Sequence, residues 1–209
     1  MLNPEHAPIT LPDFTDLEEQ AKCAPAPKLA LPESGFWVFA YGSLMWNPGF
    51  EFEQCERGTL HGYHRRLCLW STRYRGNKAN PGLVLGLDQG GLCQGFAFKV
   101  GASEAKPTAE YLYQREMVNN AYAPKMESLH LDNGQIVSCL AFVSKPDHPQ
   151  FAPRLDATHI AWVVSRARGQ RGENSEYVIN CANQLTELSI RDQELHQVAD
   201  LLTSQANNN

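Results

Sequence analysis

Three groups of residues in this 209-residue chain have types and spacings suited to chemistry. Glu116 closes a stripe, Ala105, Ala109, Leu112 and Glu116, whose spacings of four, three and four are those of one helix face. A carboxylate at the end of an apolar stripe faces inward, and burial without a cationic partner raises its pKa toward the range useful for proton transfer near neutrality. The rival reading is an ion pair with a strand arginine, Arg65 or Arg66, which would make Glu116 structural. The second group is Tyr41-Gly42-Ser43-Leu44, where a Gly and a Ser follow the end of an apolar run. Such a turn lets backbone approach a ligand closely and offers free N–H groups. Ser43 lacks the second Gly of a GxSxG elbow and has no evident activating His, so it is read as a hydrogen-bonding residue, not a nucleophile. The third group is Arg73, Arg75 and Lys78 in the polar loop 71–82, which could hold a substrate carboxylate or simply be solvated. His61 and His64 are three apart, which on a strand sends them to opposite faces, and no metal site is expected.

These groups need elements to position them. Phe36-Trp37-Val38-Phe39-Ala40 is too short for a buried helix and rich in β-formers, and is predicted as a buried strand running into the 41–44 turn. Its aromatics, with Trp46, read as core or pocket wall. Strands are predicted at 58–63 and 65–70, and at 83–87 and 94–100, the last two joined as a hairpin through Asp88-Gln89-Gly90-Gly91. A helix from Glu104 to Asn119 carries Glu116. Strands at 125–131 and 135–143 flank Asp132-Asn133-Gly134, a strong hairpin signal. Three segments then read as helices: Asp156 to Arg168 closed by Gly169, a second from Asn174 or Ser175, and a third from Asp192 to Thr203. A run of strands, one helix, a hairpin and then helices indicates an α+β fold with a small mixed or antiparallel β-barrel and flanking helices.

Composition sets the outer bounds. With 43% hydrophobic and 20% charged residues the chain is of ordinary globular type, and a net charge of −5 gives no sign of a nucleic-acid partner. Six cysteines without a CxxC pair read as reduced and mostly buried thiols, pointing to a reducing compartment. No stretch approaches the roughly 18 apolar residues of a membrane span, and the amino terminus has no basic or apolar leader pattern. A cytoplasmic monomer is the expectation. Residues 1–34, with several prolines and a short amphipathic hint at 14–19, read as an extension without chemistry, 35–204 as the domain, and 205–209 as a frayed tail.

Taken in order, the segments Trp37 to Trp46, Gly62-Tyr63-His64-Arg65-Arg66, Ser71 to Gly76, Pro81 to Val84, Tyr111 to Met117 and Glu173 to Tyr177 resemble the ChaC-type glutathione-specific γ-glutamylcyclotransferases. The resemblance runs from about residue 36 to 190 and leaves out the amino-terminal extension. It implies a γ-glutamylcyclotransferase-type fold, a small barrel with flanking helices. It also implies an enzyme that cleaves glutathione to 5-oxoproline and cysteinylglycine without a cofactor. The family's catalytic Glu falls on Glu116. Its substrate loop falls on Val38, Phe39, Ala40, Tyr41, Gly42, Ser43 and Leu44, with Ala40 where eukaryotic members carry Gly. Tyr122 and Tyr177 become pocket residues by the same correspondence, and Arg75 a candidate for the glycine carboxylate. Two alternatives stay open: action on other γ-glutamyl peptides or amines, and a non-catalytic regulatory protein on the same fold.

Overall fold

Six residues, Gly35–Ala40, form the first strand, β1, and a 3₁₀ turn at Ser43–Met45 follows at once. The computed structural model describes residues 11–14 and 29–206. Most of the 14–19 hint, Cys23 and the last three tail positions lie outside the described residues. After β1 come β2 (Gln54–Ser71), β3 (Gly82–Gly101), the helix α1 (Ala102–Glu116), β4 (Tyr122–Leu131) and β5 (Ile136–Ser144). The chain continues through α2 (Ala157–Arg166), a two-residue strand pair β6 (Arg168–Gly169) and β7 (Gly172–Glu173), α3 (Asn174–Glu187) and α4 (Gln193–Ala206).

Five strands close into a barrel in the order β1-β3-β2-β4-β5. β1 runs antiparallel to β3, with Val38 opposite Phe98, and parallel to β5, with Val38 opposite Leu140. The sheet is therefore mixed, where the order of elements had left a mixed or an antiparallel barrel open. The 132–134 hairpin is present: β4 and β5 pair from Tyr122 opposite Ser144 to His130 opposite Ile136, and Gly134 supplies the positive φ of 87° that the turn requires.

Two expectations are corrected. The 58–63 and 65–70 segments are one strand, β2. The hairpin placed at 88–91 does not exist: β3 runs unbroken from Gly82 to Gly101. Its two glycines do take positive φ, 95° at Gly90 and 71° at Gly91, but they bend a continuing strand, as a bulge does. The Gly90 carbonyl lies 2.9 Å from Nδ1 of His64 on β2. At the carboxyl end, α2 closes at Ala167, two residues before Gly169, because the chain turns directly into the β6–β7 pair.

The described chain forms two compact units, one of residues 29–65 and 87–146, the other of residues 66–86 and 147–206 with Phe14. In the first, alternate residues of the strands fill the barrel: Phe39 from β1 and Tyr41 just beyond its end, Leu129 and Leu131 from β4, Cys139, Ala141 and Val143 from β5. α1 packs beside β1. In the second, α2, α3 and α4 pack on one another through residues that include Ile160, Val164, Val178, Leu185 and Val198. Phe14 sits edge-on to Trp70, 6.5 Å between ring centroids, so at least this residue of the extension is part of a core.

One polar residue ties the second unit together. Asn174, the first residue of α3, is fully buried; its Oδ1 accepts from the Leu83 N–H at 2.7 Å and its Nδ2 donates to the Leu83 carbonyl at 2.8 Å. Both backbone groups lose their partner in Asn174→Ala. That change is expected to cost on the order of 3 kcal/mol, read as a lowered denaturant midpoint with an unchanged slope.

Candidate active site

Helix α1 presents Ala105, Thr108 and Leu112 to the interior, with Glu116 one turn further along the same face. Thr108 holds the buried position that the apolar stripe assigned to Ala109, which is only half-buried. Glu116 does face inward, with 18% of its side chain exposed. Its cationic partner is neither Arg65 nor Arg66. Arg65 donates to the carbonyls of Tyr41 and Gln94, and Arg66 to those of Ala152 and Pro153. The partner is the next residue in the chain: Nε of Arg115 lies 3.1 Å from Oε1 of Glu116.

Arg115 does more than neutralise a charge. One terminal nitrogen donates to Oγ of Ser43 at 2.9 Å, and the other to the Asn47 carbonyl and the Tyr111 hydroxyl, both at 2.8 Å. A planar guanidinium with five fixed N–H groups can satisfy several acceptors at once. It thereby joins the end of α1 to the turn that follows β1, seventy-two residues away. Nothing in the stripe or in the turn signalled this residue; the one hint was a cation next to the misplaced carboxylate.

Burial pushes the Glu116 carboxyl above its ordinary range, and the Arg115 charge and hydrogen bond pull it back down. Desolvation is the larger effect. A carboxyl raised above its usual range is better matched to proton transfer near neutrality than an exposed one.

The remaining candidates fall into separate places. Val38 and Ala40 are fully buried on one face of β1, while Phe39 and Tyr41 point into the barrel, where the Tyr41 hydroxyl donates to the Phe142 carbonyl at 3.1 Å. Ser43 is exposed and Leu44 buried in the 3₁₀ turn, whose first amides have no partner within so short an element. Tyr122 opens β4. Arg75 and Tyr177 belong to the second unit and are brought together there, the guanidinium 5.2 Å from the ring centroid. Arg75 also donates to the Glu173 carbonyl at 3.2 Å, and the Tyr177 hydroxyl oxygen accepts from the Leu85 N–H at 3.2 Å. Arg73 donates to Gln170 instead. His61 meets His130 edge-on, 4.8 Å between ring centroids, and Nδ1 of His64 lies by the Gly90 carbonyl. Among the described residues no group of three or more potential ligands could hold a metal ion, and the described cysteines are all free, Cys55 exposed and the other four buried.

Comparison with known proteins adds to this geometry. A family model described as ChaC-like protein matches residues 36–205. A protein of Escherichia coli K12 named glutathione-specific γ-glutamylcyclotransferase is 36% identical over 188 residues, covering 90% of this chain and 80% of the relative. A protein of the same name from Schizosaccharomyces pombe is 33% identical, covering 81% of this chain and 92% of the relative. Among solved structures, a γ-glutamyl cyclotransferase specific to glutathione from yeast superposes with a TM-score of 0.74 at 22% identity, covering 82% of this chain and 96% of the other, which shows the shared fold.

Proposed function

The chain belongs to the ChaC-like family, a family of γ-glutamylcyclotransferases, and on that premise we propose that it cleaves glutathione to 5-oxoproline and cysteinylglycine with Glu116 as the proton-transfer group. The observation that carries this is the arrangement around Arg115, which binds the inward carboxylate of Glu116 and the Ser43 hydroxyl at once. A base and a substrate-cradling turn are thereby held to one guanidinium.

The chemistry asks little of the protein beyond placement. In a γ-glutamyl peptide the α-amine can reach its own γ-carbonyl and close a five-membered ring. Glu116 takes a proton from the α-ammonium, the new C–N bond forms, and the γ-amide C–N bond breaks as Glu116 returns a proton to the amine of cysteinylglycine. Attack and departure occur at one carbon, so neither an enzyme nucleophile nor a redox group enters the balance. Folding the substrate so that its amine faces its carbonyl supplies much of the acceleration. The γ-carbonyl oxygen gains charge during attack, and the amide N–H groups at the start of the 43–45 turn are suited to receive it.

Substrate scope separates glutathione from other γ-glutamyl compounds. A panel of glutathione, γ-glutamyl dipeptides and γ-glutamyl amines, assayed for 5-oxoproline, is expected to show turnover of glutathione far above the others. Equal turnover across the panel would replace this reading with a general cyclotransferase. Arg75 is expected to hold the glycine carboxylate: Arg75→Ala should raise KM by about tenfold while kcat changes little, the pattern of lost ground-state binding. An unchanged KM would remove Arg75 from the site.

A further inference from the structure

The proposed chemistry leaves two charged residues on the barrel's inner wall without a task. On β4, Leu129 and Leu131 belong to the buried cluster and Ala123 packs against it, so Lys125 and Glu127 occupy the intervening positions of the same face. Glu127 stands opposite Cys139 of β5, and its charge adds to burial in pushing that thiol up to about 12, which fits a carboxylate on the inside of the wall. Between Lys125 and Glu127 comes a phenol from β2. The Tyr63 hydroxyl donates to Oε1 of Glu127 at 2.9 Å and accepts from Nζ of Lys125 at 3.2 Å. Among the described residues Lys125 forms no ion pair.

The hydrogen-bond bookkeeping gives this triad a direction. Tyr63 has one proton, and Glu127 takes it; the phenol oxygen must therefore turn a lone pair to Lys125. An ammonium has three N–H groups, and the phenol uses one. An apolar barrel gains no stability from a lysine and a glutamate kept apart by a phenol, since half-buried charges cost free energy unless closely paired. Their height along the barrel is informative. Lys125 is opposite Ala141, and the next residue of β5, Phe142, accepts from the hydroxyl of Tyr41, the residue that enters the 42–45 turn. The cation thus lies in the half of β4 nearer the 42–45 turn, level with the Phe39 position of β1.

We propose that Lys125 receives a carboxylate of the γ-glutamyl peptide, and that Tyr63 and Glu127 are positioning residues that aim its ammonium. This rests on the functional reading given above and extends it to a binding residue. Glutathione carries two carboxylates, on the γ-glutamyl α-carbon and on the glycine, and the chemistry of recognition is the same for both.

The test compares the unaltered protein with Lys125→Met and Lys125→Arg on three substrates: glutathione, its glycine carboxamide, and 4-aminobutanoyl-cysteinylglycine, which lacks the α-carboxylate and closes to 2-pyrrolidinone. Lys125→Met is expected to raise KM for glutathione by about tenfold or more with kcat nearly unchanged, on the scale of a lost charged hydrogen bond. The penalty should vanish for the one analogue lacking the carboxylate that Lys125 holds, and Lys125→Arg should recover most of the affinity. A KM within about twofold of the unaltered protein, an equal penalty on all three substrates, or a loss confined to kcat would overturn the assignment. If the unaltered protein releases no 5-oxoproline from glutathione, the functional reading falls and this assignment with it; if it does and Lys125→Met behaves identically, only the assignment falls.

Discussion

Glu116→Gln is expected to keep its fold and its affinity for glutathione while turnover falls by about two orders of magnitude or more, the scale of general acid–base catalysis. Gln is close to Glu in shape, and its amide oxygen still accepts from Arg115, so the link to the 43–45 turn survives. What is lost is the ability to carry a proton. The same substitution should not weaken the protein. Burial raises the Glu116 carboxyl above its ordinary value of 4.5, so the folded state holds that proton more tightly than the unfolded chain. Between 4.5 and the raised folded value, stability falls as pH rises, and above it the buried charge is a full burden. Gln carries none of this. Glu116→Gln is therefore expected to unfold at or above the midpoint of the unaltered protein at neutral pH, with the difference closing as pH falls toward 4.5. Thermal unfolding at neutral pH and at pH 4, beside kcat, measures both halves. A variant both inactive and markedly less stable at neutral pH would point to a structural Glu116.

The second large effect is expected at Arg115. Arg115→Gln removes the cation beside Glu116 and the donors to Ser43 and Asn47. With the opposing effect gone, burial alone acts on Glu116 and its carboxyl rises further. At neutral pH kcat/KM should drop by about ten- to a hundredfold, partly because less of the base is ionised and partly because the turn is no longer held. The acid limb of the kcat/KM profile should move to higher pH, and activity should partly return under alkaline conditions. Arg115→Lys keeps the charge but not the planar fork, so its limb should stay near that of the unaltered protein while KM rises. A profile that falls in height without moving along the pH axis would limit Arg115 to holding the loop.

Glu116 was legible because a carboxylate breaking an apolar stripe is a local signal, even though the stripe slipped by one residue at Thr108. Arg115 was not. Neighbours on a helix point in different directions, and the acceptors that give Arg115 its role, Ser43 and the Asn47 carbonyl, are about seventy residues distant. The 132–134 hairpin could be read because its turn residues dictate a local geometry. The 88–91 segment carries equally strong turn chemistry, yet two positive-φ glycines serve a bulge as well as a turn. Which of these forms depends on whether the flanking segments pair with each other or with β1 and β2, and that is decided by long-range contacts. The parallel pairing of β1 with β5, a hundred residues apart, belongs to the same class. Lys125 and Glu127 alternate with Leu129 and Leu131, so their inward placement was available from spacing; the phenol that links them comes from another strand and was not.

The most direct test is a product balance. Unaltered protein and Glu116→Gln are incubated with glutathione under matched conditions, and 5-oxoproline, free glutamate and cysteinylglycine are quantified together. The expected result is 5-oxoproline and cysteinylglycine in equal amounts, no glutamate, and almost no product from the variant. Glutamate in place of 5-oxoproline would mean hydrolysis instead of cyclisation, and undiminished 5-oxoproline from Glu116→Gln would contradict its role as the proton-transfer group.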